Sequence, residues 1–247
     1  EILIGLVGSE MCIRDSPNGI GYVSLSTDFE ANNLTALNYE GVAPSEETVL
    51  DGTYGMQRPF SYVTRASGDF ADDRTEQLVA AFIDYLCNST EGMQVVADAG
   101  GIVDTTKSTP WEELKANHPI VNEDNSDLTI RTAGSTSVTD TLQAALESFQ
   151  SMAGNFQFTM NQTGSGDGYK RVLGEEKDGA NAADIGFASR EFEGEEDVTQ
   201  GMASGQYCID AVVAVISADN TFGVTDLTAD QIKGIFSGEI TAWGDLQ

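Results

Sequence analysis

Hydrophobic and polar positions switch between a two-residue and a near-four-residue period along this chain, and the switches mark out short strands and amphipathic helices. Residues 20–25 (Ile20-Gly21-Tyr22-Val23-Ser24-Leu25) form a β-prone run after the turn signal Pro17-Asn18-Gly19. Residues 34–39 read as a second short strand, and Ser45 caps a helical turn over 45–50 that Gly52 stops. Residues 60–64 alternate like a strand and begin directly after Pro59, where proline interrupts no ladder. Leu78, Val79, Phe82, Ile83 and Leu86 recur at helical spacing and predict a helix over 75–87. Met93, Val96 and Ala97 do the same for 90–97, ahead of the stop at Gly100-Gly101.

The pattern then lapses. Pro110, Pro119 and the acidic polar run 122–127 predict a linker over 106–126, with a turn or two of helix over 111–116. It restarts with a strand at 128–130, a small-residue loop at 133–137 and a helix over 138–149. A strand at 156–160, a glycine-rich loop at 163–168 and a helix beginning at Tyr169 follow. Strands at 184–188 and 209–216 lead to a helix over 228–236, capped by Thr228 with Ile232, Ile235 and Phe236 inward. Strands alternating with helices imply an α/β chain with mostly parallel sheets.

Composition narrows the function. The 247 residues carry 12 Lys+Arg against 40 Asp+Glu, a net charge of −28. Nucleic acids and anionic membrane surfaces are held by clustered cations, so both are excluded as partners. Hydrophobic residues make up 40%, enough to fill a core. No apolar run is longer than 211–216, which is strand-sized, against the ~20 residues a membrane helix needs. A single histidine, His118, and three cysteines leave no donor set for a zinc site or a Ser-His-Asp triad. No metal and no cofactor is expected. His118, beside Pro119 in the linker, is expected to be exposed, and Cys87 and Cys208 show no metal-ligand spacing. Gly164-Ser165-Gly166 is in the wrong frame for a nucleophile elbow, so the chain reads as a binding protein rather than an enzyme, with a phosphatase as the alternative class.

One stretch looks foreign. Leu6-Val7-Gly8-Ser9-Glu10-Met11-Cys12-Ile13-Arg14-Asp15-Ser16 resembles the translation of a transposase-insertion sequencing adaptor, so residues 1–16 are expected to be non-native.

Three polar, Ser- or Gly-rich loops each follow a strand and are expected to lead into a helix: Gly134-Ser135-Thr136-Ser137, Gly164-Ser165-Gly166 and Ala188-Ser189-Arg190. In α/β sheets ligands bind beyond the carboxyl ends of strands, where N–H groups point outward. Hydroxyl and main-chain N–H groups there would hold a small anion through neutral dipoles, and repulsion from the overall charge is screened beyond ~8–10 Å. Ordinary helix capping uses the same residue types.

Five segments in order make the reading specific: Thr132-Ala133-Gly134-Ser135-Thr136-Ser137-Val138, Thr163-Gly164-Ser165-Gly166-Asp167-Gly168-Tyr169, residues 183–192, residues 210–216, and residues 235–243 ending in Thr241-Ala242-Trp243. From Thr129 onward the chain resembles the first half of the phosphate-binding proteins of ABC-type importers, a periplasmic-binding-protein type II family. Residues 18–103 resemble the second half of the same family. The matching features there are residues 18–23, Gly41-Val42-Ala43-Pro44-Ser45, Gly52-Thr53-Tyr54 leading to Arg58-Pro59-Phe60, and Ser89-Thr90-Glu91-Gly92. The resemblance implies an α/β, two-lobed fold present as C-terminal half (17–105), linker (106–126) and N-terminal half (127–247). A cut tandem or a circular permutation would give this order; the adaptor and the stop at Gln247 favour the tandem. Either way, 128–130 and 184–188 should share a sheet with 60–64.

The resemblance also implies roles. Ser135, Thr136 and Ser137 would donate from the first loop, Ser165 and the Gly166 N–H from the second, and Ser189 with Arg190 from the third. Some family members have Ser-Asp where this chain has Ser189-Arg190, the Asp accepting the proton of monobasic phosphate. Arginine can only donate, so Asp210 becomes the candidate acceptor, with a strand-end charge as its alternative. Arg58 is expected to be structural. The family's second-lobe Arg followed by Ser-Gly-Thr has no counterpart here, which implies an incomplete clamp and weak or no phosphate binding by this chain alone. The implied protein is an extracytoplasmic monomer that captures inorganic phosphate for a membrane permease. It would sit in the periplasm or at the cell surface, where a lipid anchor is one option, with a signal sequence outside this chain. Sulfate or molybdate is the alternative ligand.

Overall fold

The structure, a computed structural model, describes residues 2–4 and 13–246. Strands β1 (Leu3–Ile4), β2 (Gly19–Ser24), β3 (Leu34–Ala36) and β4 (Asn38–Tyr39) precede helix α1 (Glu46–Leu50). Then come β5 (Gln57–Thr64), α2 (Asp73–Asn88), α3 (Thr90–Asp98) and α4 (Trp111–Leu114). After them run β6 (Thr129–Gly134), α5 (Thr139–Met152), β7 (Gln157–Gln162), α6 (Ser165–Lys170) and β8 (Ile185–Ala188). The last elements are β9 (Ser204–Ser217), β10 (Asp226–Leu227) and α7 (Ala229–Ser237). The chain divides into two compact units, Glu1–Arg58 with Asp210–Gln247, and Pro59–Ile209. Each unit draws on both sequence halves.

In the second unit the strand order is β9, β5, β8, β6, β7, with β9 contributing residues 204–209. β8 runs antiparallel to β5, Ser61 facing Ala188 and Thr64 facing Ile185. It runs parallel to β6, Thr132 facing Ile185, and β6 is parallel to β7 from Thr129↔Gln157 to Gly134↔Gln162. The expected sharing of one sheet by 60–64, 128–130 and 184–188 is therefore met. β5 starts earlier than expected, with Pro59 ahead of the stretch 61–64 that pairs with β8.

The helices cover this sheet with the faces their periodicity assigns. Asp72 caps α2 by accepting from the Thr75 N–H at 2.8 Å, and Leu78, Val79, Phe82 and Leu86 are fully buried. Phe149 of α5 centres an aromatic cluster, its ring 5.2–5.7 Å from Tyr85, Phe82, Phe156 and Trp111. Residues 106–126, expected as a linker, are folded into this core. Trp111, Ile120 and Val121 are buried in it, and the Asn125 side chain donates to the carbonyls of Ile120 and Ala153. Prolines and acidic residues there shape short helical turns instead of a spacer, because apolar residues between them find a core to bury in. His118 is correspondingly not exposed. Its Nε2 lies 2.8 Å from Asp84 and its ring stacks on Trp111.

Neither Cys87 nor Cys208 is in a disulfide. Burial pushes the Cys87 thiol up to about 12, although the residue keeps part of its surface accessible. Native-state alkylation of Cys87 at pH 8 should therefore run roughly a hundredfold slower than in urea, and rise steeply at alkaline pH as thiolate forms. Mass spectrometry after iodoacetamide checks this; equal native and unfolded rates would refute it.

In the first unit β2 pairs parallel with β1 and antiparallel with β9, Ile20 facing Ile216 and Ser24 facing Val212. The single strand expected over 34–39 is two. β3 joins β9 and β4 joins β10, and the break falls at Leu37, whose side chain is fully buried. Thr228 caps α7 in a reciprocal box with Gln231, as its sequence suggests. Ile20, Leu37, Ile216, Leu227, Ile235 and Trp243 form the core of this unit. Of the adaptor-like stretch, Ile13 packs on Val23, Leu34 and Val213, while residues 5–12 lie outside the described residues. Among the described residues no helix is long and apolar enough to cross a membrane.

Candidate functional site

β7, β6 and β8 are neighbouring parallel strands, so their carboxyl ends emerge on one side of the sheet. Ser165 follows β7, Ser135 follows β6 and Ser189 follows β8. Parallel pairing alone brings the three loops together. Ser135 Oγ donates to Ser189 Oγ at 3.0 Å, and the hydroxyls of Ser165 and Ser189 lie 3.3 Å apart. The Ser189 N–H donates to Ser165 Oγ at 3.1 Å, and the Ser137 N–H donates to Ser135 Oγ at 3.2 Å. The Ser135 and Ser165 oxygens thus already accept from backbone N–H groups, and with the Ser135 hydrogen given to Ser189, the Ser165–Ser189 pair keeps one hydroxyl hydrogen to donate. The cluster carries no formal charge and can present O–H donors to an anion.

Backbone contacts hold these loops at close quarters. The Gly134 carbonyl accepts from the N–H groups of Thr163 and Gly164, both at 2.8 Å, and the Ser135 N–H donates to the Phe187 carbonyl at 2.9 Å. Gly168 and Gly186 let α6 lie directly on β8: a Cβ at Gly186 would stand 2.1 Å from the Gly168 carbonyl oxygen. This packing explains why the helix expected to begin at Tyr169 begins instead at Ser165 and ends at Lys170. Glycine propensity argues against a helix there, and tertiary contact overrides it.

The remaining candidates divide. Thr136 and Ser137 are exposed in a single 3₁₀ turn leading into α5, and the space around Gly166 is open. The Arg190 guanidinium is turned to Glu196, with Nη1 at 2.6 Å and Nη2 at 2.9 Å. That fork raises the Arg190 pKa further and holds the Glu196 carboxyl below its ordinary value. Asp210 lies in the first unit. Its Oδ1 accepts from Ser24 Oγ at 2.9 Å, and its Oδ2 accepts from Arg58 Nη2 and Nε at 2.7 and 2.9 Å. Both oxygens therefore already accept, and Arg58 has the structural pairing expected of it.

Three further residues brace the second loop. Thr163 and Asp167 hydrogen-bond one another, and the buried Arg171 reaches both. Their signal in the sequence was the i, i+4 pair Asp167–Arg171. A cavity of about 290 Å³ in the same unit is lined by Tyr62, Glu191, Phe192 and Gln206 among others, and by none of the three serines. Among the described residues no three His, Cys, Asp or Glu side chains are grouped to hold a metal ion.

Residues 119–247, which contain all three loops, match a family described as PBP superfamily domain. The chain belongs to the PBP superfamily. Its α/β architecture is the periplasmic-binding-protein-like fold that the sequence resemblance implied. This PBP-superfamily chain is 28% identical over 234 residues to phosphate-binding protein PstS 2 of Streptococcus agalactiae, covering 95% of itself and 70% of that protein. It is 28% identical over 237 residues to phosphate-binding protein PstS 2 of Streptococcus pneumoniae, with the same coverage. Its structure superposes with a TM-score of 0.76 on the crystal structure of a phosphate-binding protein of a phosphate ABC transporter from S. pneumoniae. That match has 28% identity and covers 97% of this chain and 82% of the other.

Proposed function

We propose that this chain is the solute-binding component of an ABC-type importer. In this reading it captures inorganic phosphate outside the cytoplasmic membrane, as a monomer, and delivers it to a membrane permease. The observation that carries the reading is the convergence of Ser135, Ser165 and Ser189, with oxygens 3.0 and 3.3 Å apart, at the carboxyl ends of three parallel strands. Relatives named as phosphate-binding proteins across nearly the whole chain supply the ligand. The two sequence halves would serve as complementary pieces of one binding protein, a view supported by each compact unit drawing on both.

Affinity should be low. The clustered hydroxyl donors come from one unit, and Arg190 is committed to Glu196. A Kd of ~1 mM, about −4 kcal/mol, is the expectation. An NMR titration with phosphate at neutral pH should give saturable shifts confined to the amides of Ser135, Ser165, Gly166 and Ser189. Ser189→Ala, which removes the hydroxyl shared by the other two, should weaken binding about tenfold. Absence of shifts at saturating phosphate would overturn the function, and micromolar affinity would overturn the partial-clamp expectation. A second oxyanion stays in the test because Arg190 stands where some relatives carry an Asp. Competition with sulfate across pH separates the two, since only phosphate carries a titrating proton there.

A further inference from the structure

We infer that Arg171 is the positioning residue of the second anion-binding loop, an inference that rests on the reading of the serine cluster as a phosphate site. Ser165 opens α6 between Gly164, at φ 156°, and Gly166, neighbours without side chains to wedge it in place. Yet its hydroxyl must stand within hydrogen-bond reach of Ser189 for the cluster to exist. The buried Arg171 supplies the constraint from behind. Its Nη1 donates to the Asn161 carbonyl at the end of β7, at 3.2 Å, and to Thr163 Oγ1 at 3.0 Å. Its Nη2 lies 3.4 Å from Asp167 Oδ2 in α6, and its Nε donates to Glu176 at 3.4 Å. Thr163 Oγ1 accepts from Arg171 while donating to Asp167, which fixes that hydroxyl in a single orientation. On the main chain, Arg171 donates to the Asp167 carbonyl at 3.1 Å and accepts from the Ala183 N–H at 2.9 Å, just before β8.

One side chain therefore grips the strand before the loop, the loop's first residue and the helix after it, bracketing Gly164-Ser165-Gly166 on both sides. The charges argue for grip over attraction. Asp167 and Glu176 more than neutralise the guanidinium, so it adds little positive potential at the anion. A lysine would not substitute, because an ammonium lacks the planar fork that reaches several acceptors at once.

The Ser189 N–H, which donates to Ser165 Oγ, is a ligand-independent reporter. In Arg171→Gln, amide hydrogen exchange of Ser189 should accelerate about tenfold while Ile130 and Ile185 keep their protection. The phosphate Kd should rise by a similar factor, and Arg171→Lys should rescue neither. Thr163→Val, which removes only the bridging hydroxyl, should move Ser189 exchange in the same direction by less. It decides the matter if Arg171→Gln loses protection throughout the sheet. Unchanged Ser189 exchange in these variants overturns the inference whatever phosphate does. Accelerated exchange in a protein whose wild type shows no phosphate shifts keeps the inference and overturns the proposed function.

Discussion

Gly134→Ala is expected to destabilise the protein by about 4 kcal/mol or more and to dissolve the serine cluster with it. Gly134 has φ 131°, which L side chains rarely adopt, and a Cβ built on it would stand 1.9 Å from the Phe187 carbonyl oxygen. The obstacle is backbone, so no rotamer change relieves it. Gly134 faces Phe187 in the β6–β8 ladder, and the Gly134 carbonyl accepts two N–H groups of the 163–164 turn. Moving the residue would separate β6 from β8 at the point where Ser135 and Ser189 emerge. Overpacking costs roughly 1–3 kcal/mol, and each lost hydrogen bond adds about 1. At this chain length the melting temperature should fall by about 10 °C. The amide shifts with phosphate should vanish even where the variant remains folded. A variant with unchanged melting temperature would mean that the strands do not meet as described.

Asp184→Ala is the second large effect, with the opposite division between stability and site. Asp184 is fully buried at the entry to β8. Its Oδ2 accepts from the Arg131 backbone N–H at 2.8 Å and Nε at 3.1 Å, and its Oδ1 accepts from Nη2 at 2.7 Å. Alanine would leave a buried N–H and a guanidinium without these acceptors. Breaking a buried pair costs about 3–5 kcal/mol, and the lower end applies because the Arg131 side chain is 38% exposed and water can reclaim it. Asp184→Asn, which keeps an acceptor oxygen, should lose roughly half as much. Asp184 stands at the end of β8 away from Ser189, so the folded variant should keep its pattern of phosphate shifts. Urea unfolding of the two variants beside Gly134→Ala measures the division. A site lost in Asp184→Ala while the protein stays folded would contradict it.

The elements written in side-chain periodicity were legible. The apolar stripe Leu78, Val79, Phe82, Leu86 needs only a facing sheet, and Thr228 with Gln231 closes its own cap. The three serine loops were legible for the same reason, since serine and glycine after a strand need only parallel pairing to become a cluster. Where the structure differs, a contact that periodicity does not encode set the outcome. Residues 34–39 divide at Leu37 because β9 and β10 compete for the two ends. Residues 106–126 pack because Phe149 and Tyr85 offer Trp111 an aromatic surface. Arg190, expected at the anion, turns to Glu196, a carboxylate six residues away that sequence reasoning did not pair with it.

By itself, then, the sequence determined the α/β class, the family resemblance, the acidic charge and the three serine loops. Those properties are carried by residue type and short spacing. Tertiary structure alone decided which donors meet. Ser135, Ser165 and Ser189 come within hydrogen-bond distance because Gly134, Gly168 and Gly186 let backbone touch backbone. Asp210 and Arg190 are instead taken up in ion pairs. Close approach and charge pairing depend on distances in space that the fold sets, and periodicity holds no record of those distances.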